Sequence, residues 1–158
     1  MTSDQELLSG TAKTVFRVNG QLLTIGEALA RPVGLTAAWW QVLAAVLDEP
    51  QSVAEVARSV GVTRQSVQRI ADLLVERGLA RYEPNPAHRR AKLLSPTPQG
   101  RDAVRRIAPA QAELAKQLVD KVGHDQLAQL LDGLEQLSDA LSALDSTTQP
   151  NQTNRSRA

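Results

Sequence analysis

Between Ser52 and Pro84 the chain reads SVAEVARSVGVTRQSVQRIADLLVERGLARYEP. Ser52 stands as a helix N-cap, and Glu55, three residues on, is its partner in a capping box. Val53, Val56, Ala57 and Val60 then share one face of a short helix. Gly61 ends it at the position where a positive φ is often needed. Thr63 caps a second helix at once, with Val67, Ile70, Ala71 and Leu74 facing inward and Gly78 ending it. A short helix, a Gly-containing turn and a second helix opening on a capping hydroxyl make a helix-turn-helix pattern.

The inward set leaves Arg64, Gln65, Gln68, Arg69 and Asp72 outward, and Thr63 and Ser66 beside them in the first turn. The Arg, Gln and Ser side chains among them suit a DNA major groove: Arg pairs with guanine, Gln with adenine, and Ser with a base or a phosphate. A solvated helix face is the bland alternative. The segment after the helix weighs against it. Ala80 to Glu83 reads as a strand, the prolines that open PNPAHRRAKLL (Pro84–Leu94) make a turn, and Ala91 to Ser95 reads as the returning strand. The tip of this hairpin, or wing, carries His88, Arg89, Arg90 and Lys92 behind two prolines that stiffen it. Arg at such a tip suits the narrow, strongly negative minor groove. A basic loop that serves only solubility is the alternative, and the two differ in salt dependence.

Outward from this centre the chain is helical. In LTAAWWQVLAAVLDEP, Thr36 caps a helix in which Leu35, Trp39, Val42, Leu43 and Val46 recur at helical spacing, with Pro50 as its expected stop. Residues 5 to about 30 predict a further helix, weakened by Gly20 and Gly26 and ended by Pro32 and Gly34. Past Gly100 a helix is expected to about Val122, kinked at Pro109. Asp125 opens a last helix whose Leu130, Leu134, Leu137, Leu141 and Leu144 form a heptad-like seam. From Ser146 the chain is polar and Pro-interrupted, which predicts disorder.

The totals narrow the function. At 158 residues this is one domain's worth of chain. Aromatic residues are 3%, so the core is expected to be aliphatic. There is no cysteine, which removes disulfides, thiolate catalysis and cysteine zinc sites together. His88 and His124 lie far apart, and Asp102, Glu113 and Asp120 read as a solvated helix face, so no catalytic or metal constellation is visible and no cofactor is expected. With no apolar run of membrane-spanning length and no basic-then-apolar start, a cytoplasmic location is expected. The net charge of +1 hides an uneven distribution. From Arg58 to Lys92, eight basic residues face Asp72, Glu76 and Glu83, a local net of +5; elsewhere ten basic residues face fourteen acidic ones, net −4. A basic middle between acidic flanks points to a local polyanion-binding face.

These residues carry a resemblance. LTAAWWQVLAAVLDEP, the Ser52–Pro84 stretch and HRRAKLLSPTPQG together resemble the MarR (multiple antibiotic resistance regulator) family of winged helix-turn-helix regulators. The family's wing usually reads Asp-x-Arg, then an apolar strand, then Leu-Thr-x-x-Gly. Here His88 stands in place of the Asp, Arg90 matches the Arg, Pro96 replaces the Leu, and Thr97 and Gly100 match.

The resemblance implies a mainly α fold with a small β-hairpin wing: a winged helix-turn-helix domain plus N- and C-terminal dimerisation helices. The chain then divides into a dimerisation helix (1–34), a DNA-binding lobe (35–98), C-terminal dimerisation helices (99–145) and a disordered tail (146–158). It implies a homodimer on a pseudo-palindromic operator of double-stranded DNA, with the leucine seam in the dimer interface. The expected function is sequence-specific transcription regulation, with repression released by a small aromatic ligand. In the family, Trp40's position often carries Trp, which packs structurally, whereas Trp39's is commonly polar. The Trp39 ring is therefore expected to face a ligand pocket between the lobe and the dimerisation helices, or else to be ordinary core. The competing function is a helical protein-interaction module whose leucine seam binds a partner, without DNA binding.

Overall fold

The computed structural model describes residues 2–148. The chain divides after Gln111 into two compact units.

The first unit opens with α1 (Asp4–Ala30). Ser3 caps it, and Glu6 completes a capping box that the sequence reading did not anticipate. The helix continues through Gly20 and Gly26 and gives way to a 3₁₀ turn, Arg31–Val33, closed by Gly34 at φ 77°. Thr36 then caps α2 (Ala37–Ala45) as expected, its Oγ1 accepting from the Trp39 amide at 3.1 Å. Glu27 reaches from α1 to accept from the Ala37 amide at 2.8 Å, so α1 also satisfies the start of α2.

The helix α2 stops at Ala45, well short of Pro50. Side chains take up the carbonyls at its end, one local and one tertiary: Gln51 donates to the Ala45 carbonyl at 2.8 Å, and Arg101 donates to the Leu47 carbonyl at 2.8 Å. Gln51–Ser52 form a short strand, β1, that the sequence reading did not anticipate. The helices α3 (Val53–Val60) and α4 (Arg64–Glu76) follow with the predicted caps Ser52, Glu55 and Thr63. Gly61 has φ 74°, as its place after α3 demands.

The hairpin comprises β2 (Ala80–Glu83), as predicted, and β3 (Leu93–Pro96), which begins two residues later than expected. The sheet is antiparallel in the order β1-β3-β2, with Ser52 opposite Leu93 and Tyr82 opposite Leu94. The core beneath it is aliphatic: Val42, Leu43, Val46, Val56, Val67, Leu74, Leu94 and Ile107 are fully buried.

The helix α5 (Pro98–Val122) starts two residues before Gly100 and stays helical through Pro109. Its start is locked to the turn after α4. Thr97 Oγ1 donates to the Gly78 carbonyl at 2.6 Å and accepts from the Gly100 amide at 3.2 Å. A Cβ on Gly100 would lie 2.0 Å from the Leu79 carbonyl oxygen.

The second unit holds the end of α5 and α6 (His124–Thr148), joined at Gly123 with φ 93°. The helix α6 runs through Ser146–Thr148, where disorder was expected. The rest of that expected tail, 149–158, lies outside the described residues. Along α6, Leu130, Leu134, Leu141 and Leu144 are exposed and Leu137 is half-buried. Among the described residues no helix is long and apolar enough to cross a membrane. The fold is mainly α with a small antiparallel sheet, a winged helix.

Candidate nucleic-acid interface

The first turns of α4 present their polar face to solvent because Val67, Ala71 and Leu74 are drawn into the core. Thr63, Arg64, Gln65, Ser66, Gln68 and Arg69 are all exposed. The Thr63 hydroxyl is committed locally: its Oγ1 accepts from the Ser66 amide at 3.2 Å and donates to the Ser66 hydroxyl at 2.9 Å.

The hairpin tip is built by local hydrogen bonds. Asn85 Oδ1 accepts from the Ala87 amide at 3.0 Å, and the Asn85 carbonyl accepts from the His88 amide at 3.3 Å. The Ala91 amide then donates to the His88 carbonyl at 3.2 Å, placing Arg89 and Arg90 at the two central positions of a tight turn.

This turn sends the tip residues in different directions. Arg90 and Lys92 join Arg64, Gln65 and Gln68 around a concave space of about 540 Å³ between α4 and the wing. His88 instead lines a hollow of about 570 Å³ beside Glu55 and Arg58. Arg89 lines a third, of about 400 Å³, with Glu83 and Asn85. Thr63, Ser66 and Arg69 do not line the α4–wing space.

Two residues outside the sequence-predicted set shape that space. Gln68 Nε2 donates to Asp72 Oδ1 at 3.0 Å and to Tyr82 Oη at 2.9 Å. The Tyr82 hydroxyl in turn donates to Asp72 Oδ1 at 2.5 Å. Lys92 Nζ stands 5.8 Å from the centre of the Tyr82 ring. Partial burial, then the Asp72 carboxylate, push the Tyr82 phenol up to about 12, so it keeps its proton. The Gln68–Asp72 pair follows from i,i+4 spacing and was readable in the sequence; Tyr82 reaches it only through the fold. The Glu55 carboxyl, in the α3 capping box, is held below its ordinary value chiefly by the Ser52 amide.

Trp39 and Trp40 are both half-buried against the core. The Arg77 guanidinium, just past the end of α4, lies 5.2 Å from the Trp39 ring centre.

Comparison with known proteins gives this arrangement its relatives. A sequence model of the MarR family matches residues 33–91, which span the helix pair and most of the wing. An uncharacterized Mycobacterium tuberculosis protein, Rv2011c, is 40% identical over 129 residues, covering 82% of this chain and 90% of the relative. Among solved structures, the M. tuberculosis transcriptional regulator MosR in complex with DNA is 25% identical, with a TM-score of 0.72 over 84% of this chain and 96% of that one. The transcriptional regulator BldR of Sulfolobus solfataricus shares the fold at 20% identity, with a TM-score of 0.77 over 87% of this chain and 99% of that one. By sequence and by fold, the chain belongs to the MarR family of transcription regulators.

Proposed function

We propose that this protein is a homodimeric regulator that binds a pseudo-palindromic site in double-stranded DNA and represses transcription from it. The observation that carries the reading is the α4–wing space. One helix supplies groove-reading groups, Arg64, Gln65 and Gln68, and the wing sets two cations, Arg90 and Lys92, opposite them. A polyanion with readable edges is what such a surface fits. Arg69, Ser66 and Thr63 extend the face along the helix, and His88 and Arg89 add contacts at the tip. That MosR was crystallised with DNA supports the same use of the same fold.

The dimer rests on apolar surface. Along α1, Leu7, Leu8, Phe16 and Leu22 are exposed, with Phe16 at 75%. On α6, the seam of Leu130, Leu134, Leu137, Leu141 and Leu144 includes four exposed leucines. Apolar rows of this extent mark an interface, and a second copy of the chain supplies a matching one. The helices 1–34 and 99–145 then dimerise, and 35–98 carries the DNA contacts.

A small planar aromatic ligand is the release signal we propose, with Trp39 stacking it beside Trp40. The Arg77 guanidinium on that ring offers a charge partner for an acidic ligand. The test of the function is selection of bound sequences from a random duplex library at about 150 mM salt, with molecular mass by light scattering. Enrichment of a two-fold-symmetric motif by a dimer is the expected result. A monomer, or a library that emerges unenriched, overturns the reading.

A further inference from the structure

Gln68 differs from the other polar residues of α4 in that its amide nitrogen is already taken. Nε2 donates to Asp72 Oδ1 and Tyr82 Oη, and these two acceptors are tied to each other by the Tyr82 hydroxyl. The arrangement has only one sense. Turning the amide over would set Oε1 against the Asp72 carboxylate, acceptor against acceptor. It would also set Oε1 against a Tyr82 oxygen whose proton is committed to Asp72. An unpaired clash of this kind costs more than a lost hydrogen bond. Oε1 is thereby directed away from the pair, and Gln68 lines the space between α4 and the wing.

An amide free to turn over can meet either a donor or an acceptor. One locked in this sense offers its oxygen, which accepts. In the major groove the exposed donors are the amino groups at adenine N6 and cytosine N4, while guanine and thymine show acceptors at the corresponding positions. We propose that Asp72 and Tyr82 are positioning residues that lock the Gln68 amide, so that Gln68 selects a base bearing an exocyclic amino group. Tyr82 thus takes part in sequence choice from β2, outside the reading helix. The proposal rests on the DNA-binding reading above and refines it.

The experiment is the same library selection, run with wild type, Gln68→Ala, Tyr82→Phe and Asp72→Ala. Wild type should favour adenine or cytosine over guanine or thymine at one position of the site by about fivefold, the worth of one hydrogen bond. Gln68→Ala should level that position and leave the rest of the profile in place. Tyr82→Phe keeps the ring and loses only the hydroxyl, so it should weaken the preference at the same position and nowhere else. A Tyr82 that merely supports the fold would change every position together or none. Asp72→Ala removes the shared acceptor and should act as Gln68→Ala does, which keeps the test open if Tyr82→Phe folds poorly. The idea is overturned if the position levelled in Gln68→Ala prefers guanine or thymine in wild type, or if neither Tyr82→Phe nor Asp72→Ala alters it. A wild type that enriches no sequence overturns the DNA-reading function itself, a different failure from an intact profile that ignores Tyr82 and Asp72.

Discussion

Gly100 sits so close to Leu79 that any side chain would collide with backbone: a Cβ would stand 2.0 Å from the Leu79 carbonyl oxygen and 3.3 Å from Leu43 Cδ2. The carbonyl is backbone and cannot swing away as the end of a flexible side chain would. Gly100→Ala should therefore push the start of α5 off the turn after α4 and strain both Thr97 bonds. Overpacking typically costs about 1–3 kcal/mol, and this clash belongs at the top of that range or above it. Thermal unfolding of the variant checks this; a melting temperature equal to wild type would contradict it.

Arg90 shares the α4–wing space with Arg64 and Lys92. Arg90→Ala should weaken binding to every duplex alike and lower the slope of log affinity against log salt by about one per wing, so about two per dimer. Titrations at several salt concentrations give the slope. If it does not move, Arg90 stands off the DNA.

Gln65 and Arg69 are exposed early in α4, and Gln65 lines the space that Arg90 shares. Gln65→Ala or Arg69→Ala should alter which bases are preferred, by about 1–3 kcal/mol for each bidentate pairing removed. Arg69 lies outside the α4–wing space, so its effect should fall at a different position from that of Gln65. Profiles from selected libraries decide; two variants that both choose the wild-type sequence would remove these residues from base reading.

Phe16 is 75% exposed, so the single chain gains little from it. Phe16→Asp should leave each protomer folded but place a carboxylate in the proposed interface, costing several kcal/mol of association. Leu137→Asp should do the same from α6, with added cost to the protomer because Leu137 is already half-buried. Light scattering at low micromolar concentration, with circular dichroism as the folding control, reads both effects. Folded dimers in both cases would place the interface elsewhere.

Trp39 carries Arg77 on its ring, so a planar acid that stacks there must contend with or recruit that guanidinium. Added aromatic acid should shift tryptophan fluorescence and release DNA from wild type, and Trp39→Leu should require a higher concentration for release. Equal release by the two proteins puts the ligand at another place.

What the sequence made legible was whatever a single turn of chain encodes. Ser52 with Glu55, Thr36, Thr63 and Gly61 each announce a helix end through neighbours within four residues, and each was found where expected. The strand β1 leaves no mark in the sequence because it has two residues, one already spent as a cap, and pairs with β3 some forty positions away. The helix α2 ends before Pro50 because the Gln51 side chain, six residues on, and the distant Arg101 satisfy the carbonyls there, and no proline is needed. The reading face of α4 followed from its apolar period. The link from Gln68 to Tyr82 did not, since it crosses from helix to sheet.

Ser52 is at once the partner of Leu93 in the sheet and the cap of α3, with no residue of slack between the two roles. Chain length at that junction is therefore fixed: one inserted residue must break either the strand pairing or the cap. The stretch from 84 to 92 is under no such constraint, because its turn closes on its own hydrogen bonds. Insertions and deletions that survive selection should gather there, letting descendants of this sequence lengthen or trim their reach along a duplex while the reading helix stays in register.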